Sequence, residues 1–294
     1  MLKTQKSFDG QSDMGILYLV PTPIGNLEDM TFRAIQTLKD VDVIAAEDTR
    51  QTKKLCHVYE IDTPLTSYHE HNKDSSGHKL IEWLKEGKNI ALVSDAGLPT
   101  ISDPGAEVVR DFTSIGGYVV PLPGANAALT ALIASGIAPQ PFFFYGFLDR
   151  QKKEKKKQLE ALKKRQETIV FYEAPHRLKE TLTIMKDVWG NRNIAITREL
   201  TKKFEEFIRG DLDQVLAWAA EHQIRGEFCL VVQGNDQVED DDSSEESWWQ
   251  LLSEKEHVIH YIEEGLTSKE AIKRVAVERS VPKRIIYDAY HIEQ

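Results

Sequence analysis

The sequence is poor in cysteine and has no long apolar run. Its two cysteines, Cys56 and Cys229, fall at no metal-ligand spacing among 294 residues. This argues against a disulfide-built secreted domain and against a cysteine zinc site. No stretch reaches about 18 apolar residues, so no membrane span is predicted. Residues 1–14 are polar, lack the apolar segment of a signal peptide, and are predicted to be a disordered leader. These absences favour a reduced, cytosolic protein.

Several nucleotide and hydrolase motifs are also missing. No GxGxxG follows the first apolar run, no GxxxxGK[ST] occurs, and no GxSxG occurs. These absences argue against a Rossmann dinucleotide site, a P-loop nucleotidase and an α/β-hydrolase. His69 and His71 offer two imidazoles, but no third ligand stands at metal spacing, so no metal site is predicted.

Charge is unevenly distributed along the chain. With 37 basic and 47 acidic residues the net charge is −10, which argues against a dedicated nucleic-acid coat protein. Residues 236–246 alone hold seven acidic residues and no basic one, and they are predicted to be a solvated linker. Residues 151–165 hold eight basic and two acidic residues, and 269–284 hold six and two. Each basic run fits either a solvated helix face or a phosphate-contacting surface.

The apolar pattern alternates short strands with amphipathic helices. Apolar runs such as 16–20, 89–97 and 168–173 predict strands. The segments between such runs have apolar residues three and four positions apart, which predicts helices. This order predicts an α/β fold with two halves. The predicted segments are an N-terminal α/β domain at 15–122, a second α/β domain at 123–234, an acidic linker at 235–246, and a helix-turn-helix-like module at 247–294.

Four loops stand directly after predicted strands, where ligands bind in α/β sheets. They read PTPIGN at 21–26, SDAGLPTISDPG at 94–105, PLPGANA at 121–127 and YEAPHR at 172–177. Glycine and proline in such loops let the backbone approach a ligand and fix the loop shape. A single Pro-Gly pair is more often a plain turn, but the twelve-residue loop at 94–105 indicates a site.

Taken together, the motifs resemble those of the bacterial small-subunit ribosomal RNA methyltransferase I family, within the tetrapyrrole-methylase-like superfamily. The resemblance rests on LVPTPIGNLEDMTFRAIQTL, AAEDTRQT, SYHEHN, VSDAGLPTISDPG, PGANAAL, FYEAPHR, TREL-TK and RGE. It implies an enzyme dependent on S-adenosylmethionine (SAM) that methylates the ribose 2′-hydroxyl of a cytidine in the decoding region of 16S rRNA, on the 30S subunit. It also implies a cofactor site in a cleft between two α/β domains, and a homodimer.

The resemblance further implies which residues border the cofactor. It assigns most contacts to backbone and small side chains, with Asp95 as the main polar contact. The residues are Pro23, Gly25, Asn26, Ser94, Asp95, Ala96, Gly97, Asn126, Ala127, Ala174 and Pro175.

Polar residues in the strand-end loops are the candidates for catalysis and substrate contact. A general base would assist a weakly nucleophilic ribose hydroxyl, and Glu173, then Glu199, are the candidates. Arg177 and Glu199 are alternatively a structural ion pair. The candidates for contact with RNA or substrate are Asp48, Arg50, Lys152, Lys153, Lys155, Lys156, Lys157, His176, Arg177, Arg198 and Lys202.

Two other functions stay open at this point. One is methylation of a small tetrapyrrole, for which the basic runs would be unnecessary. The other is a non-catalytic RNA-binding factor of ribosome assembly. In the C-terminal module, Trp248 and Trp249 serve either as core and docking residues or as stacking surfaces for RNA bases.

Overall fold

The structure, a computed structural model, describes residues 4–6, 13–236, 249, 252–279 and 281–291. Within these residues the chain forms two compact units, divided between residues 236 and 237. The first unit contains two five-stranded sheets, and the second contains three helices. Residues 237–246 of the predicted acidic linker and Trp248 lie outside the described residues.

The first sheet is parallel throughout. Its strands are β1 (Ile16–Leu19), β2 (Val43–Ala46), β3 (Leu65–Ser67), β4 (Ile90–Val93) and β5 (Tyr118–Pro121). The helices that follow the first four of them are α1 (Phe32–Asp40), α2 (Thr49–Val58), α3 (Lys73–Lys85) and α4 (Ala106–Ser114). The strand order is β3-β2-β4-β1-β5. Every residue of β2 and β4 is buried, as expected for central strands covered by helices on both faces.

The second sheet is mixed. Its strands are β6 (Phe142–Phe147), β7 (Thr168–Glu173), β8 (Asn193–Arg198), β9 (Glu206–Asp211) and β10 (Phe228–Val232), in the order β6-β7-β10-β8-β9. The helices of this half are α5 (Ala127–Ser135), α6 (Lys152–Leu162), α7 (Leu178–Trp189) and α8 (Leu212–Glu221). Helix α5 packs on one face of the sheet, whereas α6, α7 and α8 contribute to the apolar core on the other face.

The direction of β10 brings several loops to one edge of the second sheet. Strand β10 lies between β7 and β8 and is antiparallel to both. Its first residue, Phe228, is therefore opposite Glu173, the last residue of β7, and Arg198, the last residue of β8. The segments that leave β7 and β8 consequently meet the segment that enters β10.

The predicted α/β fold is confirmed, and two strands were not foreseen. Strand β3 has only three residues, and β9 is half-buried and pairs with β8. Part of the predicted leader is ordered, because the Gln5 side chain donates to the Val119 carbonyl at 2.8 Å and accepts from its N–H at 3.0 Å.

The second unit contains α9 (Glu254–Glu263), α10 (Ser268–Glu278) and α11 (Lys283–His291). They share a small apolar core that includes Val258, Ile272 and Ile286. Trp249 stacks on His257 with ring centroids 5.2 Å apart. In neither unit is any helix of the described part long and apolar enough to cross a lipid bilayer.

Candidate active site

A cavity of about 400 Å³ lies in the first unit where loops from both sheets meet. The first sheet contributes Ile24 after β1 and residues 96–98 and 101–103 after β4. The second sheet contributes the ends of β6, β7 and β8 and the beginning of β10. The cavity therefore stands at the strand ends that commonly hold ligands in α/β proteins.

A short backbone bridge fixes the wall that the first sheet supplies. The N–H of Thr22 donates to the Gly97 carbonyl at 3.0 Å, and the N–H of Gly97 donates to the Thr22 carbonyl at 2.9 Å. Gly97 has φ +77°, which glycine adopts without strain. Ser94 is buried behind this wall, and its hydroxyl donates to the Gly97 carbonyl at 3.2 Å.

The opposite wall includes the first turn of α5. Asn126 caps this helix, since its side-chain oxygen accepts from the N–H of Leu129 at 2.9 Å. The hydroxyl of Tyr172 accepts from the N–H of Ala128 at 3.2 Å. Burial raises the pKa of Tyr172 to about 12, so this phenol stays protonated and keeps a proton to donate. Tyr172 lines the cavity, and the sequence analysis did not single it out.

Glu173 lies in the cavity wall with both carboxylate oxygens engaged. One oxygen accepts from the N–H of Ala174 at 2.9 Å and is 3.1 Å from Nε of Arg177. The other accepts from the hydroxyl of Thr181 at 2.5 Å. Arg177 also donates to the carbonyls of Leu148 and Asp149. These bonds favour a role for Glu173 and Arg177 in holding the wall over a role in proton transfer or substrate contact.

Glu199 forms a second charged cluster, beyond the cavity lining. Its carboxylate accepts from the N–H of Glu227 at 3.0 Å and from Lys202 at 3.1 Å. Burial acts to raise the pKa of Glu199, but these two bonds outweigh it and hold the pKa below its usual range. A carboxylate stabilised in its charged form is a weaker base. The ion pair considered between Arg177 and Glu199 is wrong, because Arg177 pairs with Glu173 and Glu199 with Lys202.

Asp103 is a third carboxylate at the cavity, and the sequence analysis did not single it out. It precedes Pro104 and Gly105 in the loop between β4 and α4 and lines the cavity. Burial raises its pKa, a hydrogen bond with the Ser94 side chain acts in the opposite direction, and the charge of Asp95 adds to the increase. The signal available in the sequence was a further acid in a strand-end loop, immediately before a Pro-Gly pair.

The residues expected at the cofactor divide into two sets. Those that line the cavity are Ala96, Gly97, Asn126, Ala127, Ala174 and Pro175. Those that lie outside the lining are Pro23, Gly25, Asn26, Ser94 and Asp95. Members of the second set support the loops instead. The N–H of Asn26 donates to the Thr201 hydroxyl at 3.1 Å, and a side chain at Gly25 would collide with Lys202.

Asp95 and Asp48 connect two loops of the first sheet. The exposed carboxylate of Asp95 accepts from the N–H of Asp48 at 3.0 Å. Asp48 caps α2 through the N–H of Arg50 and also pairs with the Arg50 side chain at 2.8 Å. Hydrogen bonds from the Arg50 side chain, and then from its backbone, lower the pKa of Asp48 to about 2.

The basic helix α6 has a buried face that its charge did not suggest. Lys152, Lys153, Lys156 and Lys157 are exposed. Lys155 is instead fully buried, and its ammonium donates to Glu180 at 2.8 Å and to Thr181 at 3.0 Å. Its expected contact with RNA phosphate is therefore corrected, because a side chain with no exposed surface cannot reach a phosphate.

The remaining predicted substrate contacts are only partly accessible. His176 is exposed at the turn before α7. Arg198 pairs with Glu206 at 3.2 Å, and Lys202 pairs with Glu227 at 2.8 Å as well as with Glu199. Of this group, His176 is the most accessible side chain beside the loop that lines the cavity.

The architecture is that of a known class of enzyme. The model of the tetrapyrrole (corrin/porphyrin) methylases matches residues 16–216. A uroporphyrin-III C-methyl transferase from Thermus thermophilus, solved in complex with S-adenyl homocysteine, has the same fold with a TM-score of 0.54. It is 17% identical, and the match covers 74% of this chain and 97% of that one. The chain belongs to the tetrapyrrole methylase class.

Relatives of high identity define the family within this class. A Bacillus subtilis (strain 168) protein named ribosomal RNA small subunit methyltransferase I is 79% identical over 296 residues, with 100% of each chain covered. A protein of the same name from Halalkalibacterium halodurans is 58% identical, with 99% of this chain and 100% of that one covered. The chain therefore belongs to the ribosomal RNA small subunit methyltransferase I family, which confirms the family predicted from its motifs.

Proposed function

We propose that this protein transfers a methyl group from SAM to the ribose 2′-hydroxyl of a cytidine in the decoding region of 16S rRNA, on the 30S subunit in the cytoplasm. One observation carries the proposal. A chain that matches a relative over its full length surrounds a ligand-sized cavity with loops from two sheets. The ribose of a cytidine as the acceptor follows from the family resemblance of the loop motifs.

The cavity fits the proposed cofactor in size and lining. Its volume of about 400 Å³ falls within the range of about 300–1,000 Å³ that is usual for small-molecule sites. Small side chains let a ligand approach the backbone, and apolar ones such as Ile24 and Phe228 suit a purine. Carboxylates at the cavity, Asp103 and Glu227, match the positive charge of a sulfonium. The residues proposed to hold it are Ala96, Gly97, Asn126, Ala127, Ala174 and Pro175.

The protein's contribution to the reaction is mainly one of position. SAM supplies an activated methyl group when bound, so the hard chemistry is carried by the cofactor. The bridge between Thr22 and Gly97 holds one wall, and Glu173 with Arg177 holds the other. Holding two reactants in line is worth about 7–11 kcal/mol in favourable cases.

RNA contact is proposed for the exposed face of α6. Lys152, Lys153, Lys156 and Lys157 project from a helix that follows β6, and Phe147 at the end of β6 lines the cavity. Basic side chains on such a face bind phosphates without reading sequence. Arg50 and His176, both exposed near the cavity loops, are proposed as further contacts with the substrate.

A homodimer is proposed from the outer face of α5. Leu129 and Ile133 are one helical turn apart and are 46% and 78% exposed. Helix α5 has no charged side chain. An apolar helix of this kind is usually covered on both sides. Sedimentation equilibrium is expected to give a dimer for the native chain, and Ile133→Glu is expected to give a monomer.

The test of function is the transfer of a radiolabelled methyl group from SAM to 30S subunits that lack the modification. Naked small RNA and porphyrinogens serve as alternative acceptors. The expected result is label in 16S rRNA of the 30S subunit, at a ribose that then resists alkaline cleavage. Label in the porphyrinogen would identify a tetrapyrrole methylase. Binding to 30S subunits without transfer of label would identify a non-catalytic assembly factor.

A further inference from the structure

We propose that Phe147 stacks on the base of the acceptor nucleotide and so holds that nucleotide at the mouth of the cavity. The inference rests on the proposed function and names a side chain that positions its substrate. It derives from an irregularity in strand β6, from the exposure of the Phe147 ring, and from the way in which the segment after β6 is held.

Strand β6 contains a bulge that changes the face on which Phe147 lies. Tyr145 packs in the core on the side of α6, α7 and α8, whereas Phe144 packs on the α5 side. Because side chains alternate along a regular strand, Phe147 would join Tyr145. The register with β7 instead shifts between Phe144 and Gly146. Phe147 is consequently paired with Tyr172, which lies on the α5 side and lines the cavity. Bulges next to active sites commonly re-aim a side chain in this way.

Gly146 permits this turn and brings the strand close to the opposite wall. Its φ of +80° is a conformation that glycine adopts without strain. A Cβ at Gly146 would stand 4.0 Å from the hydroxyl oxygen of Ser102, in the loop that follows β4. Ile101 of the same loop lines the cavity and is 53% exposed, and Phe147 is 54% exposed. Two apolar side chains from different sheets are therefore exposed at the mouth of the cavity.

Another aromatic ring fixes the ring of Phe147. The ring centroids of Phe147 and Tyr172 are 5.5 Å apart, and the ring planes cross at 61°. Tyr172 is held in turn by the ring of Phe144, at 5.1 Å, and by the N–H of Ala128, which donates to its hydroxyl at 3.2 Å. Since more than half of Phe147 stays exposed, it keeps area for a planar ligand. Aromatic side chains of this kind stack on unpaired bases of RNA.

The segment that joins Phe147 to the basic helix α6 is also fixed. The N–H of Asp149 donates to the side-chain oxygen of Gln158 in α6 at 2.8 Å, and Arg177 donates to the Asp149 carbonyl at 2.9 Å. Helix α6 begins five residues after Phe147 and carries the exposed lysines. A nucleotide has its base and its phosphate on one ribose, so an aromatic ring close to basic side chains suits RNA better than a neutral apolar ligand.

The position of Phe147 favours the acceptor over the cofactor as its partner. The lining also includes the buried residues Thr197, Phe228 and Cys229, so the cavity extends inward from its mouth. A nucleotide that is part of an RNA chain reaches the cavity from solvent, and its base is therefore expected at the exposed mouth. To reach it, the nucleotide leaves its neighbours in the RNA, and stacking on Phe147 offsets part of that cost.

The experiment compares Phe147→Leu, which keeps an apolar side chain and removes the aromatic ring, with the native chain. The measurements are single-turnover methyl transfer to 30S subunits, SAM affinity by calorimetry, and thermal unfolding. We expect the transfer rate to fall about 10- to 100-fold, because fewer bound acceptor nucleotides are held at the cavity. SAM affinity is expected to stay within about threefold. The melting temperature is expected to stay within about 2 °C, because Phe147 is more than half exposed.

Two further variants separate stacking from other effects. Phe147→Tyr keeps an aromatic face and is expected to recover most of the transfer rate. Phe32→Leu makes the same change as Phe147→Leu at a residue that is 94% exposed and lies outside the cavity lining. It is expected to leave all three measurements unchanged.

A second measurement removes the base instead of the ring. It uses 30S subunits reconstituted with an abasic residue at the nucleotide that the native chain labels, which keeps the ribose and the phosphates. The native chain is expected to lose as much rate on these subunits as Phe147→Leu loses on intact ones. Phe147→Leu on abasic subunits should lose little more, because ring and base form one contact.

Three results would overturn the proposal. They are a native transfer rate for Phe147→Leu, a fall in its SAM affinity of about tenfold or more, and losses from ring and base that multiply. Failure of the proposed function is a separate result, since the native chain would then not label 30S subunits.

Discussion

The ammonium of Lys155 and the hydroxyl of Thr181 lie 3.0 Å apart in the interior of the first unit. The same hydroxyl donates to Glu173, which in turn accepts from the N–H of Ala174 in the cavity wall. A continuous chain of hydrogen bonds therefore joins the basic helix α6 to the end of β7. It links the surface proposed to meet RNA with the wall proposed to hold the cofactor.

Replacing Lys155 by Met is expected to lower the free energy of unfolding by about 2 kcal/mol, because the buried hydroxyl of Thr181 and the carboxylate of Glu180 lose a charged donor. Urea denaturation measures this change. Lys156→Met, on the exposed face of the same helix, is the matched control and should stay within about 0.5 kcal/mol of the native chain. Equal losses for the two variants would contradict the buried link.

Neutralising the exposed lysines of α6 is expected to weaken binding to 30S subunits and to flatten its dependence on salt. Each lysine that neutralises a phosphate contributes roughly 0.7–0.9 to the slope of log K against log salt. The variant changes Lys152, Lys153, Lys156 and Lys157 to Gln. Filter binding at several salt concentrations gives the slope, which should become shallower by about 3. An unchanged slope would mean that the exposed lysines of α6 are solvated and do not contact RNA phosphates.

Gly97→Ala is expected to weaken SAM binding about tenfold, equivalent to 1.4 kcal/mol, because the new Cβ would stand 3.2 Å from Ile24 at the cavity. Its positive φ should also cost about 1–2 kcal/mol of stability. Gly116→Ala separates the two effects, since Gly116 has φ +89° with no atom within 4 Å of a Cβ. That variant should lose similar stability and bind SAM normally by calorimetry.

The carboxylate of Asp48 is expected to stabilise the fold only above a defined pH. Its pKa is lowered from 3.8 to about 2, first by the hydrogen bonds of Arg50. A lowered pKa means that stability is fully present above 3.8 and is lost as pH falls toward about 2. Thermal unfolding of the native chain and Asp48→Ala should therefore differ near pH 5 and converge near pH 2. Asp48→Asn keeps an acceptor for the helix cap and provides the uncharged comparison.

Much of the fold followed from apolar periodicity. Fully buried strands such as β4 and β10 produce uninterrupted apolar runs, and the helices between them keep a clear spacing. Strand β3 was missed because three residues are too few to show a period. Strand β9 was missed because Glu206, Arg209 and Asp211 make it polar, although pairing with β8 specifies its conformation.

The loops of the site were predictable, but the direction of each side chain was not. The number of basic residues in 151–165 suggested that Lys155 is exposed like the neighbouring lysines. Lys155 lies four and seven positions before Leu159 and Leu162, and this spacing puts it on the buried face of α6. Glu173 was proposed as a base because it follows a strand, and only the fold brings Arg177 and Thr181 against its two oxygens. Tyr172 and Cys229 are contributed by strands that meet only in the folded sheet.

The central position of β10 has a consequence for biosynthesis. Phe228–Val232 is the last strand of the first unit to leave the ribosome, yet it occupies the middle of the second sheet. Until it emerges, β7 and β8 both lack the strand that lies between them in the folded sheet, and an unpaired strand edge invites aggregation. A nascent chain that stops short of Val232 is therefore left with a divided sheet and an incomplete cavity wall.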